Sequence, residues 1–282
     1  MAEKIGTGLT DASKGGDMTA AVLSFPEGFL WGTATAAHQV EGGNTNNEWH
    51  SWEQQPGRIR NEDRAGMACD WWHRAEEDFD RARELGQNSH RLSLEWSRLE
   101  PRPGEWDTTA FARYRQMLAG LRQRHLEPMV TLYHFTLPIW VAEQGGWRNP
   151  QTIGHFVRYV ERVTQELGDL VTLWCTINEP VVDAYMGYLR GVWPPGRQSF
   201  PEAIRVLRHL LLAHGEAYRI IHALQGNAQV GLVKNMMYIE PWQADSWLDR
   251  KWAGYMNRLY NELSLIAVTE GRFLPPLGMD RV

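Results

Sequence analysis

Cysteine is nearly absent: Cys69 and Cys175 are the two in 282 residues. So sparse a pair supports neither a disulfide framework nor a thiolate metal centre, and it fits a reducing compartment. Long apolar runs are missing as well. No stretch approaches the roughly 18 residues of a membrane span. The first twenty residues carry Gly, Asp and Lys without the apolar centre of a signal peptide. Charge of one sign is nowhere concentrated. With a net charge of −5 and a pI near 6.1, neither nucleic acid nor an anionic membrane is expected as partner. Neither a G-x-G-x-x-G nor a P-loop follows the first apolar run, which argues against a nucleotide-binding fold. The expectation is a soluble, cytoplasmic protein without metal or cofactor, with a flexible leader over residues 1–23 and a folded domain over residues 24–282.

What is present is a sizeable apolar fraction, 43%, and fourteen tryptophans against eight phenylalanines and nine tyrosines. Indole combines a flat apolar face with a donor edge, which suits the C–H faces and hydroxyls of sugars, although large core packing also uses it. Along the chain, short apolar runs alternate with helical patterns. Runs cover residues 29–37, 89–96, 128–134, 170–175 and 229–235; helical periodicity covers residues 71–85, 110–124, 152–167, 201–224 and 247–268. The Gly- and Pro-rich residues 187–195 read as a surface loop. Strand and helix alternating five times predict a parallel α/β architecture.

Polar candidates stand at the ends of the runs: Gln39, Glu95, His134, Glu179 and Asn235. A doubly wound sheet gathers ligands near one switch point, whereas a (β/α)8 barrel draws on every strand end, so this distribution favours the barrel. Glu179 is the sharpest candidate, because Pro180 cannot continue a ladder and forces a turn there. A carboxylate in that place could equally cap the next segment. Eight strands close such a barrel, and five are countable here. An open five-strand arc would leave two unpaired edges and an exposed barrel interior. The chain therefore reads as the front part of a (β/α)8 TIM barrel, truncated after about five β/α units.

Four motifs carry a family resemblance. Phe25-Pro26-Glu27-Gly28-Phe29-Leu30-Trp31-Gly32-Thr33-Ala34, followed by Gln39-Val40-Glu41-Gly42, resembles the opening of glycoside hydrolase family 1, the β-glucosidase family. Arg91-Leu92-Ser93-Leu94-Glu95-Trp96-Ser97-Arg98 resembles its second strand and Tyr133-His134-Phe135-Thr136-Leu137-Pro138 its third. Thr176-Ile177-Asn178-Glu179-Pro180 resembles its acid/base motif. The resemblance implies a retaining β-glycosidase acting on terminal β-D-glycosides of small saccharides or on aryl and alkyl glucosides. Such chemistry places two carboxyls about 5–5.5 Å apart. By the same resemblance Glu179 would be the acid/base and Asn178 the donor to the sugar 2-OH. Gln39, His134 and Asn235 would contact the substrate, while Arg91 and Tyr238 would support the nucleophile. Phe135-Thr136 departs from the family's commoner Trp-Asp, which bears on sugar preference.

The family's nucleophile lies in a Thr-Glu-Asn-Gly setting after the seventh strand. Val268-Thr269-Glu270-Gly271 lacks the Asn and follows the fifth run, so Glu270 is read as a helix-end surface residue and the nucleophile as outside this chain. The expectation is an acid/base half that needs a complementary C-terminal segment. Two other readings stay open: a non-catalytic sugar-binding or regulatory protein, and a complete barrel hydrolase pairing Glu179 with Glu95 or Glu270.

Overall fold

A computed structural model describes residues 24–282. The expected leader, residues 1–23, lies outside them. Residues 24–30 belong to one unit, in which the rings of Phe25 and Phe29 lie 4.6 Å apart. Residues from Trp31 onward form the second unit, which carries everything below.

Its sheet has five strands: β1 (Gly32–Ala34), β2 (Ser89–Ser93), β3 (Glu127–Tyr133), β4 (Leu173–Asn178) and β5 (Gln229–Val233). All neighbours are parallel and the spatial order follows the chain, β1 to β5. Between and after them come α1 (Trp71–Glu84), α2 (Thr108–Gln123), α3 (Gln151–Leu167), α4 (Phe200–Leu224) and α5 (Trp247–Asn257). Every expected strand and the first four expected helices are present, within a few residues of their predicted spans.

The pleat sorts side chains between two faces. In register across the sheet, Leu92 sits opposite Val130, and Val130 opposite Trp174. All three are buried towards the helices. On the same face the His90 ring packs against Trp71 and Phe79 of α1, at 5.7 and 5.6 Å. Phe156, Tyr159, Val160, Val163 and Leu167 form the inward stripe of α3 at helical spacing. Burying one such side chain contributes roughly 1.5–3 kcal/mol. The opposite face carries Arg91, Met129 and Leu173 in register. Polar residues there meet the site rather than the core.

The helices begin where side chains satisfy their first amides. Asp107 accepts from the backbone N–H of Thr109 and Ala110, at 2.8 and 2.9 Å. Both flanking strands of the sheet are exposed to a degree no inner strand matches: β1 is exposed throughout and no residue of β5 is buried. That agrees with the expected open arc.

Two expectations are corrected. Residues 187–195 are not simply a surface loop, because Ala184–Arg190 forms a π-helix in which Gly187 and Tyr188 are buried. Glycine is required there: a Cβ on Gly187 would stand 2.5 Å from the Pro194 carbonyl oxygen, where the chain returns over the helix. The tail is likewise not one uniform helix. α5 passes into a π-turn, Arg258–Glu262, before Leu263–Glu270 resumes the α-helix. Among the described residues no helix is long and apolar enough to cross a membrane.

Candidate active site

The C-terminal halves and ends of β2 to β5 bring Arg91, His134, Asn178, Glu179 and Asn235 together. Asn178 is the last residue of β4 and is buried. Glu179 then turns the chain: its backbone lies in the left-handed region, φ 44° and ψ 61°. Its N–H donates to the Val233 carbonyl at the end of β5, at 2.8 Å. Pro180 opens the short helix Pro180–Asp183, where a missing N–H costs nothing.

Arg91 ties the neighbouring strands to this turn. Its Nε donates to Thr131 Oγ1 of β3 at 2.8 Å, and its Nη2 donates to Asn178 Oδ1. Burial pulls the Arg91 pKa down, while the Cys175 thiol and the Glu179 carboxylate oppose that shift. The clamp decides how Asn178 is turned. With its oxygen committed to Arg91, the amide NH2 is presented to the site as a donor.

His134 follows β3. Burial, assisted by the Arg91 cation, lowers its pKa to about 4, so the imidazole is neutral at pH 7. Its Nδ1 is buried without a hydrogen-bond partner, which native interiors rarely leave so. His134 and Gln39, which is exposed on the turn Ala37–Val40, line one cavity of about 110 Å³ with His38, Trp49, Phe135 and Trp193. Phe135 also adopts a positive φ, 69°. Its carbonyl accepts from Trp49 Nε1 at 2.9 Å, and its ring lies 4.9 Å from that of Trp193. Two indoles thus line a largely apolar pocket to which His38, Gln39 and His134 add polar groups.

On the other side of Glu179, Asn235 Nδ2 donates to Glu179 Oε1 at 3.3 Å. The Tyr260 hydroxyl donates to Asn235 Oδ1 at 2.8 Å. Lys234 Nζ reaches the carbonyl of Asn235 and, at 2.8 Å, that of Tyr260. Tyr238 stands apart from this cluster, 90% exposed.

The other two carboxylates have structural partners. Glu95 is fully buried and accepts from Ser97 Oγ at 2.6 Å and Thr136 Oγ1 at 3.0 Å. Burial raises its pKa and those two bonds oppose the shift. Glu270 is exposed at a helix end and pairs with Arg272 at 2.6 Å. Among the described residues no group of three or more His, Cys, Asp or Glu could hold a metal ion.

Sequence reasoning did not single out Thr131, Trp49, Trp193, Lys234 or Tyr260. The tryptophan count pointed to indoles as a class without saying which two would meet Phe135.

Comparison with known proteins identifies the family. The glycosyl hydrolase family 1 model matches residues 22–273. Beta-glucosidase A of Acetivibrio thermocellus is 35% identical over 225 residues, covering 78% of this chain and 50% of that protein. Among solved structures, a beta-glycosidase from Pyrococcus horikoshii is 39% identical, with a TM-score of 0.85, over 92% of this chain and 59% of that one. A family 1 β-glucosidase from Thermotoga maritima in complex with isofagomine lactam is 33% identical, with a TM-score of 0.85, over 89% of this chain and 58% of that one. The chain spans about half the length of the curated relatives it matches.

Proposed function

This chain belongs to glycosyl hydrolase family 1, with a sheet built as five successive units of the (β/α)8 barrel, and we propose that it carries the acid/base half of a retaining β-glycosidase site. Glu179 protonates the glycosidic oxygen as the leaving group departs, then takes a proton from the water that attacks next. Asn178 donates to the sugar 2-OH, a bond that strengthens as positive charge grows on the ring. Gln39 and the neutral His134 contact the remaining hydroxyls between the Trp49 and Trp193 walls. Asn235 contacts the substrate from the β5 side, and Arg91 and Tyr238 support the nucleophile. The nucleophile is assigned to no residue of this chain and comes from a complementary C-terminal segment. Small saccharides and aryl or alkyl β-glucosides are the substrates, and the cytoplasm is the place of action.

The observation that supports this most is the half-buried Arg91–Asn178 bond. It commits the amide oxygen and leaves the NH2 beside Glu179, an orientation a purely structural asparagine has no need of. The test is hydrolysis of an aryl β-glucoside. The pure chain is expected to show no turnover above buffer, since removing a covalent nucleophile costs many orders of magnitude in rate. Turnover by the chain alone that Glu179→Gln abolishes would overturn the external nucleophile.

The cavity shared by Gln39, His134 and the two indoles favours one second reading, a sugar-binding protein without catalysis. Calorimetric binding of methyl β-D-glucoside by the chain, lost in His134→Ala, together with no activity after supplying the C-terminal segment, would establish it.

A further inference from the structure

The π-turn Arg258–Glu262 is a break in an otherwise regular helix, and such breaks concentrate at functional sites. Here it faces the loop that follows β5. Tyr260 and Asn261 are adjacent in sequence, yet both reach residues 235–237. Asn261 accepts from the Met237 N–H at 3.1 Å and donates to the Met237 carbonyl at 2.6 Å. Lys234 closes the arrangement by bonding the carbonyls of both Asn235 and Tyr260. The loop is therefore stapled to the turn on both sides of Asn235.

A side-chain amide has two unlike ends, and which one meets Glu179 matters. An ionised carboxylate only accepts, so the NH2 end suits it and the oxygen end repels it. Once Glu179 is protonated its own O–H can meet the amide oxygen, and the carboxyl alone no longer prevents the amide from turning over. The Tyr260 phenol does: its O–H donates to Oδ1 at 2.8 Å, leaving Nδ2 to donate to Glu179 Oε1 at 3.3 Å.

Resting on the acid/base reading of Glu179, we infer that Tyr260 is a positioning residue that, through Asn235, decides which oxygen of the Glu179 carboxyl carries the proton. Oε1 is held as an acceptor, so the proton resides on Oε2. In the forward step the Oε2–H bond breaks and the proton goes to the glycosidic oxygen, which keeps the electron pair of its broken bond to the sugar. In the second step the bond that the nucleophile carboxylate made to the sugar as the leaving group departed breaks, its electron pair returning to that carboxylate, while the oxygen of water bonds to the sugar and one of its protons goes back to Oε2. Asn235 stays a donor to Oε1 throughout, and no bond needs to rotate between the two steps.

The test uses the chain itself, with asparagine labelled in nitrogen, and follows the Asn235 side-chain NH2 signals through a pH titration. In the wild type one of the two protons is expected to shift as Glu179 titrates, and Glu179→Gln should abolish that movement. Tyr260→Phe should abolish it as well and speed exchange of the amide protons by about tenfold, as loss of one hydrogen bond does, with the Asn178 signals unmoved. Lys234→Met, which leaves the phenol in place, should retain the movement. A full response in Tyr260→Phe, or its loss in Lys234→Met, would overturn the inference. The readout needs no turnover, so a failed hydrolysis assay counts against the acid/base reading alone.

Discussion

Asp183, one turn beyond Glu179, gives the sharpest quantitative test of how this region is packed. It is buried, and its Oδ2 accepts from the Tyr133 hydroxyl at 2.9 Å. Burial raises its pKa from 3.8 to about 7, and the Tyr133 bond only partly opposes the shift. Glu48 is a further acid close enough to interact with Asp183. A carboxyl whose folded pKa lies above its unfolded value binds more protons in the folded state. Its stabilising contribution is fully present below pH 3.8 and is lost as pH rises through 7. A gap of about three pKa units corresponds to about 4 kcal/mol, of which about 1.6 kcal/mol is gone by pH 5 and nearly all by pH 8.

Asp183→Asn keeps an oxygen for Tyr133 and removes the titration. The stability of the variant relative to the wild type should therefore rise by about 2.5 kcal/mol between pH 5 and pH 8. Urea unfolding followed by tryptophan fluorescence at the two pH values measures it. Burial holds His90, His134 and His214 at pKa values of about 4, which makes the chain lose stability as pH falls from 6.5 towards 4. These histidines are common to both proteins and cancel in the difference. An equal gap between variant and wild type at pH 5 and pH 8 would refute the reasoning.

Arg98 donates to the fully buried Glu41 at 3.1 Å and lies 4.0 Å from the Trp72 ring. Arg98→Met should cost about 3 kcal/mol in urea unfolding. The loss should be larger at pH 8 than at pH 5, because burial already raises the Glu41 pKa to about 7. Asp107→Ala removes both cap bonds of α2 and should lower stability by about 1 kcal/mol. Cys69 is exposed and Cys175 buried, and burial raises the Cys175 thiol pKa. A chromogenic disulfide reagent should therefore modify one thiol at once and the second only on unfolding.

The strands were legible because each is a short apolar run set between helical patterns. The run at residues 170–175 is apolar and β-branched wherever it sits, and α3 shows its stripe in its own spacing. The catalytic candidates were legible through position, since Asn178 and Glu179 end a strand and Pro180 ends the ladder. Three kinds of feature were not. A π-turn breaks helical periodicity by only one residue, so residues 247–268 read as a single helix. Gly187 reads as a loop residue until the Pro194 carbonyl is found against it. Trp193 and Tyr260 act through partners 58 and 25 residues away, Phe135 and Asn235, and no local pattern encodes such a meeting. Tyr238 shows the converse: its motif marks it, and its contacts within this chain do not.

The left-handed backbone at Glu179 sets two selective pressures against each other. A non-glycine residue in that region costs about 1 kcal/mol or more, and here the turn is imposed by the bond from its N–H to Val233. Glu179→Gly should consequently raise the unfolding midpoint by about 2–4 °C, while removing the carboxyl altogether. A library of this chain screened for heat resistance alone would drift towards glycine or asparagine at position 179. One screened for turnover, with the rest of the barrel supplied, would keep glutamate. The residue that survives at this one position would tell which of the two the chain had been asked to do.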